Sequence, residues 1–140
     1  MQSKRSRVAA AGFIAVGVAI AVNGCSLLEA VDPPISSAIY ATGAEGKTSD
    51  AAIELPTWVP DDSTTVRVKI NRDSGAEILQ FTPVKPETIG GACTQAPSAN
   101  VPQLDDTWWL QTLPTDDGIV CQDNWFVTAV NGMFYAWKNS

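Results

Sequence analysis

The strongest pattern in the chain is a pair of β-prone apolar runs, residues 119–130 and 133–138, on either side of Asn131-Gly132. Asn-Gly between such runs is the signature of a two-residue type I′ hairpin, because both residues tolerate the positive φ that this turn requires. The turn sets the register: Val130 faces Met133, Thr128 faces Tyr135 and Phe126 faces Trp137. The opposite side of the hairpin then carries Trp125, Val127, Ala129, Phe134 and Ala136. Both sides are largely apolar, so the hairpin belongs mid-sheet or under cover on both faces.

A second hairpin is written further upstream. Residues 64–71 alternate, with Val66, Val68 and Ile70 on one side and Arg67 and Lys69 on the other, the period of a half-buried strand. Arg72-Asp73-Ser74-Gly75 is a turn, and residues 76–82 follow as a strand carrying Ile78, Leu79 and Phe81. Before this hairpin, residues 53–60 are apolar but interrupted by Pro56 and Pro60, which rules out a central strand. They read as an irregular segment that docks Leu55 and Trp58 on the core. Residues 83–102 are loop-rich. In 104–113, Asp105 or Asp106 is placed to cap one or two helical turns, and an extended path fits as well. Residues 26–50 show no sustained period and contain Pro33-Pro34, so they read as a flexible tether. The expected architecture is mainly β, or small α+β: an antiparallel sheet of about four strands built from two hairpins, with one disulfide.

The longest apolar run lies at the other end. Residues 8–22 carry no charge or polar side chain and follow Lys4, Arg5 and Arg7. A basic segment, an apolar segment and a small residue before a cut are the parts of an export signal. As a helix the run spans roughly 22 Å, short of the roughly 30 Å hydrocarbon core, which favours a cleaved signal over a permanent span. Val22-Asn23-Gly24-Cys25 resembles the lipobox of bacterial lipoproteins. That resemblance implies cleavage before Cys25 and a diacylglyceryl group on its sulfur, while Asn23 departs from the small or aliphatic residue usual at its position. The chain then divides into a signal peptide at 1–24, a lipidated Cys25 and tether at 25–51, and an extracytoplasmic β-rich domain at 52–140. Two or more acyl chains anchor stably, where one alone is marginal. The alternative is a plain transmembrane anchor or secretory signal with an incidental cysteine.

Charge sharpens this picture. The whole chain of 140 residues carries −6. Without Lys4, Arg5 and Arg7, six basic residues face fifteen acidic ones, and the mature part carries −9. Such a protein is repelled by nucleic acid and by anionic headgroups. It suits a domain held off a membrane by lipid, so the membrane is a partner through the N-terminal lipid and nucleic acid is not a partner. Histidine is absent, which excludes Ser-His and Cys-His nucleophilic catalysis and removes the commonest metal ligand. With Cys25 assigned to lipid, Cys93 and Cys121 are an even pair. In an oxidising compartment they form a disulfide. Two free thiols or a redox pair are the alternatives, and no Cys-x-x-Cys spacing supports the latter.

The candidate chemistry is sparse. Five tryptophans, at 58, 108, 109, 125 and 137, fall in the small domain. A tryptophan platform stacks on sugar rings of a cell-wall glycan, but large aromatics also fill small cores, each burying about 150–250 Å². Adjacent Trp108 and Trp109 cannot both face inward on a strand, so one of them is the surface-aromatic candidate. Asp61-Asp62, Asp105-Asp106 and Asp116-Asp117 are carboxylate pairs, joined by Asp123-Asn124. They lie at turns or caps, where Asp is locally favoured, and lack the spacing of a calcium loop. No metal site and no cofactor follow from these residues.

The 53–140 part is similar to the small uncharacterised lipoproteins of actinobacteria. The features are Leu55-Pro56-Thr57-Trp58-Val59-Pro60, the strands 66–70 and 78–81, Trp108-Trp109, Cys93 with Cys121, and the aromatic C-terminal hairpin. The resemblance implies an envelope protein on the extracytoplasmic face of the cell membrane and supplies no activity. The expected function is a lipid-anchored binding or accessory module without catalysis, its partner an envelope protein or a cell-wall glycan. The competing reading is an envelope hydrolase using a pair of Asp carboxylates.

Overall fold

A computed structural model describes residues 33–49, 53–85 and 88–140. The proposed signal and Cys25 lie outside the described residues. Six strands form one antiparallel sheet: β1 (Ile35–Thr42), β2 (Thr64–Asn71), β3 (Glu77–Thr82), β4 (Val120–Gln122), β5 (Trp125–Val130) and β6 (Met133–Lys138). Their order is β1-β2-β3-β6-β5-β4. Two three-stranded meanders therefore lie side by side, joined where β3 pairs with β6. One short helix, α1 (Gly43–Thr48), follows β1.

The four central strands are the two expected hairpins. Asn131 and Gly132 have φ of 53° and 80°, and Val130 pairs with Met133, Thr128 with Tyr135 and Phe126 with Trp137. The expectation of about four strands is corrected to six, because both edges carry one more. β4 arises where the 119–130 run breaks at Asp123-Asn124 and folds back on itself, with Gln122 opposite Trp125. Asp123 takes a φ of 52°, which Asp tolerates better than most residues.

β1 and α1 lie inside the stretch expected to be a tether, so that reading fails for residues 35–48. β1 buries only Tyr40 fully, which is why no apolar period announces it. The start of α1 does have a signature. Thr42 Oγ1 accepts from the Glu45 backbone N–H at 3.1 Å, and the Glu45 carboxylate accepts from the Ala41 N–H at 2.8 Å. This is close to the Thr-x-x-Glu capping box. Gly43 and Gly46 let α1 sit against the 53–60 segment: a Cβ on Gly43 would come within 2.1 Å of the Pro60 carbonyl oxygen, and one on Gly46 within 2.2 Å of Leu55 Cδ1.

Both sheet faces are covered. On the helix face, Tyr40, Val66, Val68, Leu79, Phe81, Trp125, Val127 and Ala136 pack beneath Ile53, Leu55 and Val59. Leu55 is buried and Trp58 packs on this cluster, as expected of the docking segment. On the loop face, Ile78, Phe126, Tyr135 and Trp137 pack beneath Trp109 and Ile119 from the long connection between β3 and β4. That connection makes a turn at Trp109, whose N–H donates to the Asp106 carbonyl at 3.0 Å, in place of the helical turns considered for 104–113.

One backbone irregularity has a measurable cost. Between Thr64↔Thr82 and Arg67↔Gln80, two residues of β2 oppose Phe81 alone, and Thr65 takes a φ of 54°. A β-branched residue there is strained by about 1–2 kcal/mol. Thr65 is exposed. Thr65→Gly is therefore expected to raise stability by about 0.5–1 kcal/mol, after glycine's larger unfolded-state entropy is subtracted. Urea unfolding checks this, and an unchanged or lower midpoint would refute the strain.

Candidate functional site

The most enclosed concavity among those described lies at the end of the β4–β5 hairpin and has a volume of about 360 Å³. Its position follows from three local constraints. The Cys93–Cys121 disulfide, with Cα atoms 4.9 Å apart, and the backbone pairing of Gly91 with Cys121 hold the segment after Cys93 against β4. Thr94 and Gln95 thereby form one wall. The Asp123-Asn124 turn forms a second wall, and Asn100 and Asn139 line the cleft as well. Trp125 and Phe126, nearly buried on opposite faces of β5, lie beneath.

The lining amides are held from behind. Asn100 Nδ2 donates to the Ala96 carbonyl at 3.0 Å, while the Asn100 carbonyl accepts from Trp137 Nε1 at 2.7 Å. Asn139 Nδ2 donates to the Val101 carbonyl at 2.9 Å. Its Oδ1 is buried and has no hydrogen-bond partner. The side chains of Gln95, Asp123 and Asn124 are exposed at the mouth. The cleft thus combines amides, which donate and accept, with the side-chain carboxylate of Asp123, and it borders the edges of two nearly buried aromatic side chains.

No protein-family model, curated protein or solved structure matches the chain.

Of the sequence-derived candidates, Cys121, Asp123-Asn124 and Trp125 line this cleft, and the others lie elsewhere. Trp109 is buried, with its ring edge-on to Tyr135 at 5.6 Å and to Trp137 at 6.4 Å. Trp108 is half-buried and meets Trp109 edge-on at 5.9 Å. Trp109 is thus a core residue, and the remaining exposed aromatic surface of the pair belongs to Trp108. Cys93 and Cys121 are bonded to each other, as expected.

The carboxylate pairs have local partners. Asp61 meets Lys47 at 2.7 Å and Asp62 lies 3.8 Å from Lys85. Asp106 meets Lys69 at 3.1 Å and also accepts from the Thr107 N–H at 2.7 Å. The Lys69 hydrogen bond is the main reason its carboxyl sits below the usual carboxylate value. Asp116 accepts from the Ser98 N–H and Oγ, both at 2.9 Å, and Asp117 accepts from Thr115 Oγ1. Of the carboxylate sites, only Asp123-Asn124 reaches the cleft at the end of the β4–β5 hairpin. Among the described residues, no three His, Cys, Asp or Glu side chains converge to hold a metal ion, and no helix is long and apolar enough to cross a membrane.

Glu77 was missed, because in sequence it is an ordinary strand-end charge. It is buried beside Lys138, 3.0 Å away, whose ammonium lies 4.9 Å from the centre of the Trp125 ring. Burial pushes the Glu77 carboxyl above its ordinary value of 4.5, against the opposing pull of Lys138. The folded protein then holds this proton more tightly than the unfolded chain, so the Glu77 contribution favours folding most below 4.5. It is lost as pH rises from 4.5 through the raised value. Glu77→Gln is expected to remove that decline, giving a flatter urea midpoint from pH 4 to 8. A variant whose midpoint falls with pH as steeply as the wild type would count against it.

Proposed function

We propose that this protein is a lipid-anchored module of the cell envelope that binds a neutral, polyhydroxylated ligand, a segment of cell-wall glycan, and releases it unchanged. Cys25 carries the lipid and the domain faces outward from the membrane. The observation that carries the binding reading is the cleft itself, lined by Gln95, Asn100, Asn124 and Asn139 with Asp123 as its one carboxylate side chain. Amides match hydroxyl groups as donor and acceptor at once. A volume of about 360 Å³ suits one or two sugar rings. Glycoside cleavage needs two carboxyl groups across the scissile bond, and the cleft lining supplies one Asp side chain.

Calorimetric titration of the protein with soluble cell-wall glycan fragments tests this. Asn124→Ala, at the exposed turn, is expected to weaken binding about tenfold, the worth of roughly 1.4 kcal/mol of lost hydrogen bonding. The glycan is expected to emerge with unchanged mass. Equal affinity of wild type, Asn124→Ala and Gln95→Ala would remove the cleft from the binding site. The anchor is tested separately: Cys25→Ser is expected to release the protein from membranes, and a mature-sized variant that still partitions into detergent would refute it.

A further inference from the structure

The two edges of the sheet are treated differently. β4 is three residues long, and its outer side is partly closed by the Gly91–Cys121 pairing and the disulfide. β1 is eight residues long and, among the described residues, pairs only with β2. Exposed edges are normally protected by charge, proline, a bulge or shortness, because their free N–H and C=O groups template another strand. Ile35–Thr42 contains no charged residue and no proline, and its register to β2 is unbroken from Ile35 to Tyr40; beyond that, the outward Ala41 N–H is capped by the Glu45 carboxylate.

The direction of its free groups can be read. The Pro34 carbonyl accepts from the Arg72 N–H at 2.8 Å, so it points toward β2. In an antiparallel ladder this alternates, so Ile35, Ser37 and Ile39 turn their backbone groups outward. The same three residues place their side chains on the loop face, since Ala38 and Tyr40 belong to the helix-face core. Ile39 is 74 % exposed and Ile35 45 %.

We propose that this edge pairs with the β1 edge of a second copy, antiparallel about a two-fold axis at Ser37. The strand is self-complementary in that register. Ser37 meets its own copy, and Ile35 meets the partner copy's Ile39 twice, so a pair of exposed isoleucines flanks the Ser37 pair on each side of the axis. Self-pairing sets no charge opposite its like. The nearest cations on this face, Lys69 opposite Ser37 and its copy, are three strand spacings apart, about 14 Å and beyond the roughly 8–10 Å Debye length, and each Lys69 is paired with Asp106. A pair of eight-residue strands buries less than the roughly 1,600 Å² of a standard stable interface. The dimer is accordingly weak in dilute solution and forms where copies are crowded together on a membrane. This last clause rests on the anchor reading.

Ser37→Cys in the full chain tests the register. Residues paired at the two-fold have Cα atoms about 5.5 Å apart, within disulfide range. Non-reducing electrophoresis of oxidised membranes is expected to show a cross-linked pair of copies. Adding Ile39→Lys, at a site too exposed to affect folding, is expected to cut the yield at least tenfold, and Thr112→Cys, off the edge, to give none. Repeating Ser37→Cys with Cys25→Ser at equal bulk concentration is expected to lower the yield; an equal yield refutes the crowding by the anchor but leaves the pairing standing. Absence of the cross-link in both backgrounds, cross-linking to a different protein, or an equal yield from Thr112→Cys overturns the proposal. Sedimentation of the chain without added cysteines checks it independently: a concentration-dependent mass is expected, abolished by Ile39→Lys, and a monomer at all concentrations in membrane-mimetic detergent overturns it.

Discussion

Trp137→Ala is expected to cost about 3–5 kcal/mol, most of the reserve of a domain this size. Trp137 has no exposed surface and sits on β6, the strand that joins the two meanders. Its ring stacks on Phe126 at 5.3 Å and meets Trp109 edge-on, so removing it empties the middle of the loop-face core. It also leaves the Asn100 carbonyl without its 2.7 Å donor. Because Asn100 lines the cleft, the variant should lose ligand affinity along with stability. Trp108→Ala is the control. Trp108 is half-buried and makes its ring contact with Trp109, so its loss should be clearly milder. Thermal melts of the two variants decide the matter; a Trp137→Ala melt matching wild type would show that the loop-face core is not what holds the sheet.

Loss of the Cys93–Cys121 disulfide is the second large effect. The bond closes a separation of 28 residues, for which chain entropy predicts about 3.5 kcal/mol. The cost should be felt unevenly. Helix-face residues such as Val68 and Leu79 do not depend on the bridged loop, whereas Trp109 and Ile119 reach the loop face from within it. Paired Cys93→Ser and Cys121→Ser substitutions should therefore lower the melting temperature by roughly 15 °C or more and expose the loop face first. Hydrogen exchange would show earlier loss of protection in β4 and β5 than in β2. Uniform exchange across the sheet would contradict that order.

How much of this was legible in the sequence depended on burial. The four central strands carry apolar side chains on a period of two and turn residues between them, and Asn131-Gly132 specified one register among several. The two edge strands lack that signal for a physical reason. An edge strand buries less, so Ile35–Thr42 is built from Ser, Ala and Thr as much as from Ile and Tyr, and reads as a linker. Val120–Gln122 was hidden inside a run that looked continuous, although Asp123-Asn124 marked the fold-back. The Thr42-to-Glu45 cap was a readable sign of α1. The cleft was not legible, because Gln95, Asn124 and Asn139 are distant in sequence and ordinary one by one. The position of Trp109 was open for a similar reason: its partners Tyr135 and Trp137 lie on a strand reached only through the long β3–β4 connection.

The placement of β6 bears on how the chain is made. Five strands precede it in sequence, yet it occupies the seam that unites them. A nascent chain can pair β2 with β3 and β4 with β5 through local turns, but it cannot close the sheet until residues 133–138 arrive. The seam pairs Glu77 with Lys138 and Phe81 with Phe134, contacts of large sequence separation that form slowly. Until that last strand arrives, the sheet is two separate pieces with no seam between them.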